Sequence, residues 1–277
     1  MTSLDAHTIS IQDRGLLYGD GLFTTMAVAQ GQILNHSLHW QRLQDGCERL
    51  GIPFPDADLL RADMRHASQS VKCGVLKCLI TRGCGGRGYR PPANPEPAHF
   101  LIPSPFPEYP QHFTRDGVQL RLCQIRLARQ PALAGIKHLN RLEQVLARQE
   151  WQEPDIAEGL MLDSEGLVIE GTQSNLFWIE NKQLHTPDLK HCGVAGIIRR
   201  LICQHHAVTV CECSLQRLYD AQAVFLTNSI IGLWPVIRLQ QQCWPVIEQV
   251  RQLQRWLIEQ NAIPEVFAQP QNKRDLK

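Results

Sequence analysis

The sequence predicts an α+β or mixed α/β protein that is divided into two domains. Strand-like and helix-like segments alternate in both halves, and 277 residues are enough for two cores. A proline-dense stretch, PSPFPEYPQ, interrupts this pattern at 103–111. We therefore expect a small N-terminal α+β domain over residues 1–108, an interdomain linker over 109–115 and a larger C-terminal domain over 116–277.

The elements of the first half follow from turn and capping residues. TISIQ is predicted to be a strand, and GLFTTMAVAQGQIL a hairpin that turns at residues 30–31. SLHWQRLQDGCERLG has the pattern of an amphipathic helix that begins after Ser37 and ends at Gly51. Asp56 is expected to cap a second helix that reaches about Ser70, before the strands GVLKCLIT and AHFLIPS.

The second half begins with a strand, VQLRLCQIRLA, and a helix from residue 139 onward. The apolar stripe of this helix is Leu139, Leu142, Val145 and Leu146. Two hairpins, GLMLDSEGLVIE and NLFWIENKQLHTP, turn at 165–166 and 181–182. A helix near GIIRRLICQHHA, the strands AVTVCEC and AVFLTNS, and a final helix, PVIEQVRQLQRWLIEQ, complete the prediction.

The composition excludes several classes of protein. The net charge of +1 disfavours a general nucleic-acid binder. We expect no membrane span and no signal peptide, because neither a long apolar run nor a basic segment followed by one occurs. The ten cysteines form no CxxC pair, which favours reduced thiols in a cytoplasmic protein over a metal site.

A glycine-rich stretch at 83–88 fits the GxGxxG pattern of dinucleotide-binding proteins. That site requires a helix that opens at the last glycine, but YRPP follows here and two prolines prevent an early helix. The dinucleotide interpretation is therefore rejected. Arg82, Arg87 and Tyr89 still lie in or beside this stretch, which is either a loop that closes over an anionic substrate or a solvated arginine loop.

Lys137 and His138 directly precede the helix predicted from residue 139. A helix N-terminus disfavours a cation, so a lysine there is either a solvated surface residue or a lysine with a lowered pKa. A lysine that loses its proton near neutral pH becomes a nucleophile. The composition of this segment alone favours the surface interpretation.

Four features of the sequence together resemble one family. They are Lys137, Glu170 before GTQSNLFW, the turn GVAGIIR, and Arg42 within HWQRL. With YGDGLFTT and LDSEGLVIE, they resemble the fold type IV pyridoxal-phosphate enzymes, which include branched-chain and D-amino-acid aminotransferases. The resemblance covers nearly the whole chain, and GIKHLNRLEQVL and RGCGGRGY are most similar to the aminodeoxychorismate lyase branch. It implies a barrel-like C-terminal domain and a homodimer.

The resemblance also implies a role for each candidate residue. Lys137 forms the Schiff base with pyridoxal phosphate and then acts as base and acid, and Glu170 faces the pyridine nitrogen. Thr25 is a weaker catalytic candidate. The remaining cofactor-binding residues are Arg42, Asn175, Gly196, Ile197, Ile198, Asn228 and Ser229. The candidates for binding the substrate carboxylates are Arg82, Arg87 and Tyr89. Without the resemblance, each of these residues would be interpreted as an ordinary surface or turn residue.

The implied reaction converts 4-amino-4-deoxychorismate to 4-aminobenzoate and pyruvate, for folate synthesis. The alternative with the same cofactor is an aminotransferase that acts on D- or branched-chain amino acids. A non-catalytic module that binds a small molecule or a protein is a third hypothesis. It would be colourless, with no borohydride-reducible adduct on Lys137.

Overall fold

The computed structural model describes residues 8–264, and backbone contacts divide the chain into two compact units. The first unit contains the residues up to Phe106 together with Gln130–Leu142. The second unit contains Pro107–Arg129 and the residues from Glu143 onward.

The segment 130–142, which carries Lys137, packs with the first unit rather than with the C-terminal part of the chain. This differs from the expected domain over 116–277. The reason is that Ile136 is only 4% exposed and belongs to the hydrophobic core of the first unit. A segment that is distant in sequence thus completes the N-terminal core, and no local pattern marks this.

The first unit is built on a four-stranded antiparallel sheet in the order β2-β1-β3-β4. Helices α2 and α3 contribute apolar side chains to its core, including Leu43 and Leu60. The elements of this unit are α1 (Arg14–Tyr18), β1 (Gly21–Ala29), β2 (Gln32–Ile33), α2 (His36–Leu50), α3 (Ala57–Val71), β3 (Gly74–Thr81) and β4 (Ala98–Ser104).

Local turn and cap signals predicted most of this unit. Asp56 caps α3 by accepting hydrogen bonds from the N–H groups of Asp58 and Leu59. Gly51 ends α2 in the left-handed conformation, with φ of 62°, although Asn35 rather than Ser37 occupies the N-cap position. The predicted strand TISIQ is wrong: its described residues form a turn, in which Ser10 Oγ accepts from the N–H of Gln12.

The second unit is dominated by a nine-stranded sheet. Its second helix, α5, begins at Leu142, which is also the last residue of the segment that packs with the first unit. Its helices are α4 (Gln111–Arg115), α5 (Leu142–Arg148), α6 (Ile197–His205), α7 (Leu215–Tyr219) and α8 (Glu248–Glu259). Its strands are β5 (Val118–Leu127), β6 (Ile156–Asp163), β7 (Val168–Gly171), β8 (Asn175–Glu180), β9 (Gln183–Pro187), β10 (Val208–Cys211), β11 (Ala223–Asn228), β12 (Gly232–Leu239) and β13 (Gln242–Cys243).

Six of these strands close into a barrel. The order β8-β11-β12-β5-β6-β7 returns to its start because β7 also pairs with β8. The closing pair in this register is Glu170 and Asn175, so barrel closure itself brings two of the predicted site residues together. The barrel-like domain that the family resemblance implies is therefore confirmed in the second unit.

Barrel strands are buried on both faces, which explains their continuous apolar sequences. Leu176 and Trp178 belong to a core cluster that includes residues of all six barrel strands. Phe177 and Ile179, which alternate with them, belong to a second cluster with residues of α6 and α8. Within residues 8–264, no helix combines the length and the apolar character needed to cross a bilayer.

Candidate active site

Lys137 lies in an extended segment that runs beside β1. The N–H of Phe23 donates to the carbonyl of Lys137 at 2.9 Å, and the N–H of Leu139 donates to the carbonyl of Gly21 at 3.0 Å. The Lys137 ammonium lies 4.7 Å from the centre of the Phe23 ring, a cation–π contact. The first unit therefore fixes the backbone on both sides of this lysine.

The expected position of Lys137 at a helix N-terminus is wrong. Helix α5 begins at Leu142, because the bridge between Leu22 and His138 keeps the preceding segment extended. A helix dipole acts within about one turn, so the N-terminus of α5 supplies no direct effect on Lys137. The stripe predicted to face the core is also exposed, with Leu142 at 74% and Leu146 at 49%.

Thr24, His39 and Arg42 form a hydrogen-bonded group in the same unit. Thr24 Oγ1 is 2.6 Å from Nδ1 of the fully buried His39, and it accepts from Nη1 of Arg42 at 3.4 Å. Burial, followed by the charges of Arg42, His36 and Lys137, lowers the pKa of His39 well below its usual value. His39 is therefore neutral at physiological pH.

Thr25 points away from this group because side chains alternate along a strand. Thr24 is completely buried with Leu22 and Met26, whereas Thr25 is half-buried and pairs in register with Lys77. Its catalytic role stays a prediction. The hydroxyl that the structure joins to Arg42 belongs to the preceding residue, which the sequence reasoning did not single out.

Arg82 has a structural role in the first unit, which argues against its predicted contact with substrate. Its guanidinium donates to both carboxylate oxygens of Asp20, at 2.8 and 3.0 Å, and to the carbonyls of Leu50 and Gly51. Arg14 donates to the same carboxylate at 2.8 Å. Burial raises the pKa of Asp20, but the hydrogen bonds from Arg82 and Arg14 outweigh this, so the pKa is lowered.

The glycine-rich loop is held by Arg14 at its base and is exposed beyond it. Arg14 donates to the carbonyls of Gly88 and Tyr89 at 3.1 and 2.9 Å. Arg87 is exposed, and the Tyr89 side chain is 85% exposed with its ring against Tyr18. Residues 82–97 contain no helix, which agrees with the rejection of a dinucleotide site. Arg87 and Tyr89 thus remain accessible to a ligand.

Glu170 and Asn175 bind the loop that precedes α6 in the second unit. Glu170 Oε2 accepts from the N–H of Val194 at 2.8 Å, and Asn175 Nδ2 donates to the carbonyl of Val194 at 2.7 Å. Asn175 Nδ2 also lies 3.5 Å from Glu170 Oε2. Both side chains are about 95% buried, so the closing strands of the barrel fix the position of a buried carboxylate.

Gly196 occupies the N-cap position of α6, where the chain packs against Asn175. A Cβ atom at Gly196 would lie 1.9 Å from Asn175 Oδ1, so no larger residue fits without a shift. No side chain caps this helix, and its first N–H groups, which include those of Ile197 and Ile198, have no partner within the helix. Such a turn binds anions.

Both polar atoms of the Asn228 side chain form hydrogen bonds to the main chain, which argues against its predicted role in binding phosphate. Its Oδ1 accepts from the N–H groups of Ile230 and Ile231, both at 2.8 Å, and its Nδ2 donates to the carbonyl of Gln173 at 3.1 Å. These bonds shape the connection between β11 and β12. The neighbouring Ser229 is 9% exposed, and its role stays a prediction.

Comparison with known proteins now identifies the family. Residues 21–239 match the family described as amino-transferase class IV. The chain belongs to this family. It is 37% identical over 233 residues to a curated aminodeoxychorismate lyase of Vibrio harveyi, covering 82% of this chain and 86% of that protein.

Solved structures of class IV relatives agree with this assignment. The crystal structure of 4-amino-4-deoxychorismate lyase from Pseudomonas aeruginosa superposes with a TM-score of 0.89 at 45% identity, covering 92% of this chain and 97% of that one. A pyridoxal-phosphate-bound form of a hypothetical aminotransferase from Mycobacterium tuberculosis has a TM-score of 0.76 at 20% identity, covering 91% and 93%. At 20% identity, the similarity to the second structure supports only the fold.

Sequence reasoning missed another buried carboxylate of this class IV chain, Glu158, which lies in the same unit as Glu170. It accepts hydrogen bonds from the hydroxyl groups of Thr172 and Ser174 and from the N–H groups of Gly159, Thr172 and Gln173. Burial raises its pKa, and these donors oppose that effect. Glu158 shapes the loop between Glu170 and Asn175. No sequence signal distinguishes it from a surface glutamate on a strand.

Proposed function

We propose that this chain is a pyridoxal-phosphate-dependent lyase that converts 4-amino-4-deoxychorismate to 4-aminobenzoate and pyruvate. The observation that carries the proposal is its similarity, over almost the full length, to two proteins named as this lyase. The family is an enzyme family, and the substrate is a small molecule. The reaction breaks a carbon–oxygen bond and is driven by the aromatisation of the ring.

The described residues fit the cofactor. Pyridoxal phosphate presents an aldehyde, a pyridine nitrogen and a phosphate, which require an amine, a carboxylate and an anion site. Lys137 supplies an amine on a fixed backbone, and Glu170 supplies a buried carboxylate. The uncapped first turn of α6, kept open by Gly196, supplies N–H groups for an anion. The cofactor, when bound, stabilises negative charge on the carbon next to the substrate nitrogen.

Each residue has a specific task in the proposed reaction. Lys137 would hold the cofactor through its amine, and it would act as the base that removes the proton from the substrate carbon that bears nitrogen. Glu170 would keep the pyridine nitrogen protonated, and the hydrogen bond from the N–H of Val194 fixes the position of this carboxylate. The family resemblance assigns the phosphate to Arg42 and to the N–H groups of Ile197 and Ile198, and within the second unit Asn175 holds the loop before these two residues in place.

The substrate's carboxylates require cationic or hydrogen-bonding partners. Arg87 and Tyr89 are the best placed of the predicted residues, because both are exposed on the loop that Arg14 anchors. Thr25 stays a weaker candidate. Arg82 stays a weaker prediction for this role, because Asp20 and two main-chain carbonyls already accept hydrogen bonds from its guanidinium.

A single assay tests the reaction and the lysine together. We expect the holoenzyme to release equal amounts of 4-aminobenzoate and pyruvate from aminodeoxychorismate, and Lys137→Ala to release neither. Lys77→Ala is the matched control, because its ammonium also lies 4.7 Å from the Phe23 ring. Full turnover by Lys137→Ala would contradict the mechanism, and equal loss in both variants would remove the special role of Lys137.

The second candidate function is an aminotransferase acting on D- or branched-chain amino acids, which membership of the class IV family supports. It uses the same Lys137, Glu170 and Arg42 but leaves the amino group on the cofactor. Conversion of the bound cofactor to its amine form by an amino acid, without release of pyruvate from aminodeoxychorismate, would favour this alternative.

We further propose that the protein is a cytoplasmic homodimer that binds no nucleic acid. The exposed apolar side chains Leu142, Val145 and Leu146 on α5 support self-association. All ten cysteines are unpaired, which is typical of a reducing compartment. A net charge of +1 provides little attraction for a phosphate backbone.

A further inference from the structure

The imidazole of His39 is completely buried, and one of its two nitrogens lacks a partner within residues 8–264. Nδ1 contacts Thr24 Oγ1 at 2.6 Å, whereas Nε2 is buried and has no hydrogen-bond partner among the residues that the structure describes. A buried polar atom without a partner destabilises the folded state. An apolar residue of similar size would avoid this cost, so stability alone does not explain a histidine at this position.

The hydrogen bonds around Thr24 fix the direction of each donor. Arg42 only donates, so Thr24 Oγ1 accepts from it. The Thr24 hydroxyl is completely buried, and its own proton requires an acceptor. Nδ1 of neutral His39 provides that acceptor, which leaves its proton on Nε2. If Nδ1 carried the proton instead and donated it to Thr24 Oγ1, both the hydroxyl proton of Thr24 and the lone pair of His39 Nε2 would lack a partner.

We propose that His39 is a positioning residue that, through Thr24, holds the Arg42 guanidinium in place to bind the cofactor phosphate. By accepting the Thr24 proton, His39 turns the oxygen lone pairs of that hydroxyl toward Arg42. Arginine side chains lose considerable rotamer freedom when they are ordered, so a fixed acceptor reduces the entropy lost on binding a phosphate. This inference rests on the proposed role of Arg42, and all three side chains belong to the first unit.

The test compares two ligands that differ only in the phosphate. The double variant Thr24→Val/His39→Leu replaces both partners by apolar groups of similar shape, which is close to neutral for stability. We expect its dissociation constant for pyridoxal phosphate, measured by absorbance titration of the apoprotein, to rise about 5- to 20-fold. The constant for pyridoxal, which has no phosphate, should change less than about 2-fold, and the urea midpoint should stay equal or rise.

Two controls separate positioning from packing. Thr24→Ser keeps the hydroxyl and should retain the affinity for pyridoxal phosphate within about 2-fold. In an Arg42→Ala background, the double variant should have no further effect, because the side chain that it positions is gone. Equal weakening of both ligands, or an undiminished effect in the Arg42→Ala background, would overturn the proposal.

The outcomes also distinguish this inference from the proposed reaction. A wild-type protein that binds pyridoxal phosphate but releases no 4-aminobenzoate would contradict the lyase reaction, while the comparison of the two ligands would still decide the role of His39. A wild-type protein whose affinity for pyridoxal phosphate does not exceed that for pyridoxal would overturn the positioning role, because no phosphate would then be bound.

Discussion

At the scale of single residues, the hydrogen-bond partners decide whether a charged side chain is available to a ligand. Arg82 and Arg87 are equivalent candidates by sequence, since Arg82 directly precedes the glycine-rich stretch and Arg87 lies within it. Arg82 is 6% exposed and its guanidinium is occupied by Asp20 and main-chain carbonyls, whereas Arg87 is exposed. The sequence identified the cationic loop, but the carboxylate that neutralises one arginine comes from a motif 62 residues earlier.

The difference between these two arginines can be measured by substitution. Arg82→Met removes one partner of a buried ion pair and leaves the carbonyls of Leu50 and Gly51 unpartnered, so we expect it to lower the free energy of unfolding by about 3 kcal/mol. Arg87→Met should change it by less than about 0.5 kcal/mol. Urea denaturation measures both, and coincident unfolding curves would show that the ion pair contributes little.

His39 makes the stability of the protein depend on pH. Its folded pKa is lowered well below 6.5, so below pH 6.5 the unfolded chain binds a proton that the folded chain does not. The free energy of unfolding is therefore highest above the unfolded pKa and falls as the pH drops below it, by at most about 1.4 kcal/mol per pH unit. His138, whose pKa burial lowers to about 4, acts with the same sign.

Denaturation of wild-type and His39→Leu proteins between pH 7.5 and 5 isolates this contribution, because His138 is common to both. We expect the wild-type free energy of unfolding to fall more steeply than that of His39→Leu below pH 6.5. Parallel curves for the two proteins would mean that His39 titrates alike in the folded and unfolded states.

At the scale of elements, local signals predicted strands and helices well where a turn or cap residue marks the boundary. The hairpin turn at 181–182 is an example, with both residues at positive φ. The start of α5 was misplaced because pairing with β1 keeps residues 136–139 extended, and this contact is not local. Strand β12 was not predicted, because Pro235 interrupts its apolar sequence.

The first turn of α6 depends on a glycine that packs closely against a side chain. Gly196→Ala would place Cβ 1.9 Å from Asn175 Oδ1, so Asn175 must shift and its hydrogen bond to Val194 must weaken. We expect a loss of about 1–3 kcal/mol in the free energy of unfolding, with weaker binding of pyridoxal phosphate.

Gly86→Ala is the matched control for this substitution. A Cβ at Gly86 meets no atom within 4 Å, and its backbone is not at positive φ. The control should leave both the free energy of unfolding and the cofactor affinity close to the wild-type values. Equal effects of the two substitutions would indicate that the contact with Asn175 relaxes without cost.

At the scale of the whole molecule, family motifs and local patterns predicted the family and most elements, but they could not predict the pairing of distant segments. Barrel closure through Glu170 and Asn175 depends on the order of six strands, and strand order follows from contacts between distant residues. The packing of 130–142 with the first unit is of the same kind. Lys137 and Glu170 were nevertheless identified, because the family motifs mark them directly.

The exposed stripe on α5 leads to a prediction about assembly. Leu142, Val145 and Leu146 are 74%, 48% and 49% exposed, and burying such side chains in a dimer interface is favourable. We expect light scattering to give twice the chain mass of 31.5 kDa for the wild-type protein. Leu142→Glu/Leu146→Glu places two charges in that interface and should shift the mass toward a single chain.

The control Gln149→Glu adds one charge at an exposed position after α5 and should stay dimeric. A wild-type monomer would contradict the dimer, and a double variant that remains dimeric would exclude α5 from its interface.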